Sequence, residues 1–178
     1  MISRIGRYLK PDTYCADLDE LDFPAFFEDG YRLVLLDVDN TLARHGSFAA
    51  DEYARRAISR AQTAGLACRI VSNAGKKRIQ AYAATLGLPF VAWARKPSAQ
   101  GIREACRIEN IEPEAAIMIG DQILTDIVSA HRAGCLAVLV RPRYNQEALH
   151  VRLKRYLERI VLSGYKLKTG KQRRKKKN

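Results

Sequence analysis

No run of 18 apolar residues occurs in this 178-residue chain, so no segment has the length to cross a bilayer as a helix. The first eleven residues hold three cations and lack the apolar block of a secretory signal. Cysteine is sparse. Cys15, Cys68, Cys106 and Cys135 stand far apart, with no CxxC pair and no Cys/His cluster at zinc spacing, which argues against a disulfide framework and a structural zinc site. Three of the four lie in apolar or helical surroundings, so reduced, mostly buried thiols of a cytoplasmic protein are expected. There is no Walker-A glycine loop and no GxGxxG, which disfavours P-loop and dinucleotide enzymes. A hydrophobic content of 47% excludes a chain disordered throughout.

Acids are also missing where cations are densest. The net charge is +12, yet residues 166–178 carry eight cations and no acid, while the first 165 residues carry 23 cations against 19 acids. This tail has almost no apolar residues and is expected to be disordered. It reads as a solubility tail, as an anchor to an anionic membrane at roughly 1 kcal/mol per cation, or as an RNA- or ribosome-binding arm acting by counterion release. No aromatic follows Tyr165, so base stacking is not indicated. At the other end Ile2, Ile5 and Leu9 share one helical face, as in a short interfacial helix or one packed on the domain. The expected division is a helical lead-in over 1–30, a folded domain over 31–163 and a basic tail over 164–178.

Between these ends, strand and helix patterns alternate. Leu33–Leu36, Ala67–Val71, Phe90–Ala92, Ala115–Ile119 and Leu136–Val140 read as short buried strands. Helices are expected over Asp51–Ala64, Lys76–Leu86, Ser98–Ile108, Ile123–Ala133 and Gln146–Leu162, with Gly65, Gly87 and Gly134 as stops. Such alternation implies a mostly parallel sheet covered by helices on both faces, an α/β fold of three α/β/α layers.

Chemistry in such folds collects at the carboxyl ends of the strands. Asp37, Asp39, Asn40 and Thr41 follow the first strand, Ser72 and Asn73 the second, Arg95 and Lys96 the third, and Asp121, Gln122, Thr125 and Asp126 the fourth. Any one of these alone reads as a helix cap or a turn. Four strand ends delivering acids, a hydroxyl and a cation to one edge read as a site. Its oxygen-rich acids suit a hard cation of the Mg²⁺ type, and a carboxylate can act as a nucleophile on phosphorus.

These residues carry a resemblance. Asp37-Val-Asp-Asn-Thr-Leu42, Ser72-Asn73, Lys96-Pro97 and Gly120-Asp121-Gln-Ile-Leu-Thr-Asp126 resemble, in order and on the expected strands, the four motifs of the haloacid dehalogenase (HAD) superfamily. Leu9-Lys-Pro-Asp-Thr-Tyr14 and Ala94-Arg-Lys-Pro97 extend the likeness to subfamily IIIA proteins of the YqeG type, relatives of phosphatidylglycerophosphate phosphatases. The resemblance implies a HAD-like Rossmannoid fold and a Mg²⁺-dependent phosphatase. In it, Asp37 is the nucleophile that forms an aspartyl-phosphate, and Asp39 is the acid and then the base. Ser72 binds a phosphoryl oxygen and Lys96 neutralises charge. The metal is held by Asp37, Asp39 through its carbonyl, and Asp121, with Asp126 in or beside that shell. Asn40, Thr41 and Asn73 are expected to enclose the phosphate, with Arg44, His45 and Arg78 as further anion contacts. The implied substrate is phosphatidylglycerophosphate, or another phosphomonoester. A ribosome- or RNA-associated factor is the alternative from another class.

Members acting on small metabolites usually carry a cap domain after the first motif or between the second and third. Here about eight residues separate Leu42 from the next helix, and one helix and one strand use up the 24 between Ser72 and Lys96. A capless, open site is therefore expected, suited to a phosphate on something large. A lipid headgroup reached from the inner face of a membrane fits, with the protein cytoplasmic or peripheral.

Overall fold

A computed structural model describes residues 8–144. The expected helix over 146–162, the basic tail and Ile2 and Ile5 lie outside the described residues. Six strands form one sheet: β1 (Thr13–Cys15), β2 (Leu33–Leu36), β3 (Ala67–Val71), β4 (Phe90–Val91), β5 (Ala116–Gly120) and β6 (Leu136–Val140). Their order is β1-β6-β5-β2-β3-β4, and every pairing is parallel. The helices are α1 (Phe23–Glu28), α2 (Glu52–Thr63), α3 (Lys76–Ala84), α4 (Gln100–Glu109) and α5 (Val128–Ala133). None of them is long and apolar enough to cross a membrane.

The expected three-layer α/β architecture is what the chain adopts. Because strand side chains alternate, β2 divides its four apolar residues between two cores. Val34 and Leu36 join Ile70, Ile117, Ile119 and Val138 under α1, α2 and α3. Leu33 and Leu35 join Val71, Met118 and Leu139 under α4 and α5. All four residues of β2 are buried, and each contributes about 1.5–3 kcal/mol by leaving water. Caps set the helix ends. Asp51 accepts from the Ala54 amide to start α2. Gly65 then turns the chain at φ +88°, against the Phe27 ring, where a Cβ would come within 2.9 Å. All four cysteines are free and buried.

Two elements depart from the sequence pattern. The lead-in is not wholly helical, because Thr13–Cys15 extends the sheet beside β6. Three residues carry no readable period. What secures them is distant: Asp12 N–H donates to Ala137 O at 2.9 Å, Ala137 N–H to Asp12 Oδ2 at 2.9 Å, and Arg141 N–H to Cys15 O at 3.0 Å. The helix expected over 123–133 is also not uniform. Ile123–Ile127 forms a turn of π-helix, and only Val128–Ala133 is α.

His131 on α5 ties this edge together, with Nδ1 3.1 Å from Tyr8 O and Nε2 3.1 Å from Asp12 Oδ2. Burial pulls its imidazolium down, but the Asp12 carboxylate and the Tyr8 carbonyl outweigh it, so its pKa is raised. A raised folded pKa stabilises the fold fully below the unfolded value near 6.5, and that contribution fades as pH climbs through the folded value. His131→Gln is therefore expected to cost stability at pH 5.5 and less at pH 9. Denaturant unfolding at both pH values checks this; an equal loss at both would refute it.

Candidate active site

The chain leaves β2 for β3 and β4 on one side, then returns to β5 on the other, so the order of strands reverses between β2 and β5. At such a switch point the outgoing loops diverge and leave a crevice. Asp37 follows β2 and Asp121 follows β5 there, and both are buried.

Lys96 sits at the centre. Its Nζ donates to Asp37 Oδ1 at 2.7 Å, Asp126 Oδ1 at 2.6 Å and Val71 O at 2.9 Å. Three acceptors match the three donors of an ammonium. Burial opposes its charge, but Asp126 and Asp37 outweigh that and hold the ammonium protonated. Burial pushes the Asp37 carboxyl up to about 7; Lys96 works against the shift and Asp126 adds to it.

Oxygens of Asp37, Asp121 and Asp126 all lie within 4.8 Å of one another. Thr41 Oγ1 donates to Asp121 Oδ1 at 3.4 Å. A compact, buried set of carboxylates with no nitrogen or sulfur donor fits a hard divalent cation. The π-turn shapes this cluster. It brings Asp126 back over the end of β5, where its Oδ2 accepts from the Gln122 amide at 3.0 Å. A Cβ on Gly120 would lie 2.3 Å from Asp126 Cγ, so the position admits only glycine. Single π-turns of this kind often mark functional sites.

Asp39 lies apart from the cluster and is half-buried. Arg78 reaches it with both terminal nitrogens, at 3.0 Å and 2.5 Å, and His45 Nδ1 stands 3.4 Å away. Gly46 N–H also donates to it, at 3.1 Å. Arg78 and His45 thus meet the acid rather than an open anion site. Arg44 is exposed, with its guanidinium 5.9 Å from the Tyr144 ring.

Several expected phosphate contacts are otherwise engaged. Asn73 donates from Nδ2 to Lys96 O at 2.9 Å and accepts the Lys96 amide at Oδ1 at 2.7 Å. Its carboxamide positions the Lys96 backbone, which its place in a Ser-Asn turn did not reveal. The Asn40 amide donates to Ala43 O at 2.7 Å, at a backbone φ of +61° that folds the loop tightly. The Thr41 amide reaches Val38 O at 3.3 Å. The Ser72 hydroxyl accepts from the Ala74 amide at 3.2 Å and is buried at the mouth of β3.

Arg143 escaped the sequence reading. Arriving after β6, it donates its amide to Asn40 O at 2.9 Å and pairs with Asp51 at 2.9 Å; its guanidinium also reaches Leu42 O and lies 3.9 Å from the Tyr53 ring. It thereby staples the loop bearing Asp39 to the start of α2. Nothing near it in sequence signals this contact. Segments 43–51 and 72–96 carry no inserted domain, so the carboxyl edge is open among the described residues.

A family model described as HAD-hydrolase-like matches residues 93–155. The probable phosphatase YqeG of Bacillus subtilis is 28% identical over 164 residues, spanning 92% of this chain and 95% of that protein. The chain is thus similar to hydrolases of the haloacid dehalogenase (HAD) type, through a model covering about a third of its length and a relative aligned over most of it. The chloroplastic/mitochondrial phosphatidylglycerophosphate phosphatase 1 of Arabidopsis thaliana is 28% identical over 166 residues, 88% of this chain but 48% of that protein. A HAD family hydrolase from Deinococcus radiodurans, solved with phosphate and sodium, shares the fold at a TM-score of 0.52 and 13% identity, over 70% of this chain and 88% of that one. These likenesses, to a probable phosphatase in sequence and to a HAD family hydrolase in fold, support a phosphomonoester hydrolase.

Proposed function

We propose that this hydrolase cleaves phosphatidylglycerophosphate through an aspartyl-phosphate formed on Asp37. The observation that carries the mechanism is the ammonium of Lys96, 2.7 Å from Asp37, beside a cluster of Asp37, Asp121 and Asp126. Asp37 attacks phosphorus in line; the P–O bond to the leaving alkoxide breaks as the bond to the carboxylate oxygen forms. Asp39 protonates the leaving alkoxide, then takes a proton from the water that hydrolyses the acyl phosphate. Lys96 balances charge on Asp37 and the phosphoryl group, and the Ser72 hydroxyl donates to a phosphoryl oxygen. Asp37, Asp121 and the Asp39 carbonyl would hold Mg²⁺, with Asp126 orienting that shell. The ion would neutralise phosphoryl charge and fix the phosphate for in-line displacement.

Two things support the lipid substrate: the open carboxyl edge, and the likeness to plant and algal phosphatases whose names specify phosphatidylglycerophosphate. The ribosome or RNA alternative rests on residues 166–178, outside the described residues.

The test is phosphate release from vesicles carrying phosphatidylglycerophosphate, with Mg²⁺ and with chelator. Release that needs the cation and exceeds that from soluble sugar phosphates is expected. Preference for the sugar phosphates would overturn the lipid assignment, and no release from either would overturn the hydrolytic mechanism.

A further inference from the structure

The two most exposed large apolar side chains among the described residues are Trp93, at 66%, and Phe48, at 58%. Both stand at the edge where the site opens, Phe48 on the loop after β2 and Trp93 just beyond β4. The start of α3 lies between them. Trp93 donates its amide to Ala74 O at 3.1 Å and lays its indole on Gly75, where a Cβ would be 3.3 Å from the ring. One turn along α3, Arg78 donates to Ser47 O at 3.3 Å, beside Phe48. Lys76 and Lys77 are exposed between the two aromatics, and Arg95 is exposed two residues after Trp93. Trp93 and Arg95 both adopt left-handed backbone, at φ of +52° and +56°. L side chains rarely accept that conformation, and here it accompanies two side chains left in solvent.

The exposed cations beside the two rings are Lys76, Lys77 and Arg95, whereas Arg78 and Lys96 pair with the acids of the site. No Asp or Glu occurs in the segments that carry the rings and these cations, residues 40–50 and 53–103. We propose that Trp93 and Phe48, with Lys76, Lys77 and Arg95, form a docking surface for an anionic lipid bilayer beside the open site. Indole and phenyl rings seat at headgroup level, and cations around them are drawn to anionic lipid. The charge complementarity chooses an anionic partner. The placement of the rings chooses a bilayer over RNA, since stacking bases need aromatics along a groove rather than on either flank of a helix end. The inference rests on the lipid-phosphate reading above and names the surface that would bring the site to its substrate.

Trp93 is the only tryptophan in the chain, so its emission reports this surface alone. The full chain is mixed with phosphatidylcholine vesicles, with and without phosphatidylglycerol. A blue shift and quenching by acyl-brominated lipid are expected with the anionic vesicles. Lys76→Gln with Lys77→Gln should weaken that response by about tenfold to thirtyfold. Phe48→Ser and Trp93→Asn should slow turnover of the vesicle-embedded phosphomonoester while leaving p-nitrophenyl phosphate hydrolysis unchanged. Co-sedimentation with vesicles and unshifted emission would overturn the proposal, since binding would then lie elsewhere in the chain. Emission that responds to single-stranded RNA and not to vesicles would also overturn it. A blue shift without phosphate release from any substrate would sustain docking and refute the hydrolase reading instead.

Discussion

Asp37→Asn is expected to lower turnover by at least roughly a thousandfold, because an amide cannot take up the phosphoryl group and the residual rate would come from binding and charge alone. The fold should survive. Lys96 keeps its bonds to Asp126 and to Val71 O, and the substitution also removes a buried charge whose desolvation opposes folding. The expected stability change is therefore small against the loss of rate. Phosphate release measured beside thermal melting separates the two. A variant that melts like the parent and turns over within tenfold of it would end the nucleophile assignment.

Lys96→Met should have the largest effect on the fold. Lys96 is buried at 6% exposure and its Nζ serves two carboxylates and a carbonyl. Removing one partner from a buried ionic cluster strands the others, at a cost of about 3–5 kcal/mol. For a chain of this size that corresponds to a melting temperature lower by roughly 6–20 °C. Adding Asp126→Asn should recover part of the loss, since it removes one stranded charge. A double-mutant cycle reads the coupling directly. Purely additive effects, or a single variant as stable as the parent, would show that the ammonium is not what holds these acids together.

Parts of this architecture were legible from neighbouring residues alone. Leu136–Val140 has the bounds its apolar run marks, and Ala67–Val71 keeps the expected bounds although buried Arg69, paired with Glu109, interrupts its apolar residues. Asp51 and Gly65 bracket a helix whose buried face is the stripe Ala54, Ala57, Ile58 and Ala61. These signals are local, because a buried parallel strand is apolar at most positions on both faces and a helix needs a donor-satisfying start and a tight stop. The strand-end acids were visible for the same reason: a polar residue ending an apolar run can only emerge at the sheet edge.

Other features had no local signal. Thr13–Cys15 is a strand only because β6 lies beside it. Asn73 looks like any turn former until its carboxamide meets the Lys96 backbone, 23 residues away. Arg143 reaches Leu42 and Asp51 across about a hundred residues. The pairing of Arg78 with Asp39 is another such contact, and it places a candidate anion binder on the proposed acid instead.

By itself, then, the sequence determined the layers, the strands and the short list of polar residues at their ends, since each of these follows from the chemistry of adjacent positions. Only the tertiary structure decided which of those residues meet. It placed Asp37 and Asp121 on either side of the strand-order reversal, folded Asp126 back over Gly120, and gave Lys96 its three acceptors. The reason is physical: strand order and a π-turn depend on packing between distant segments, and no residue carries that information alone.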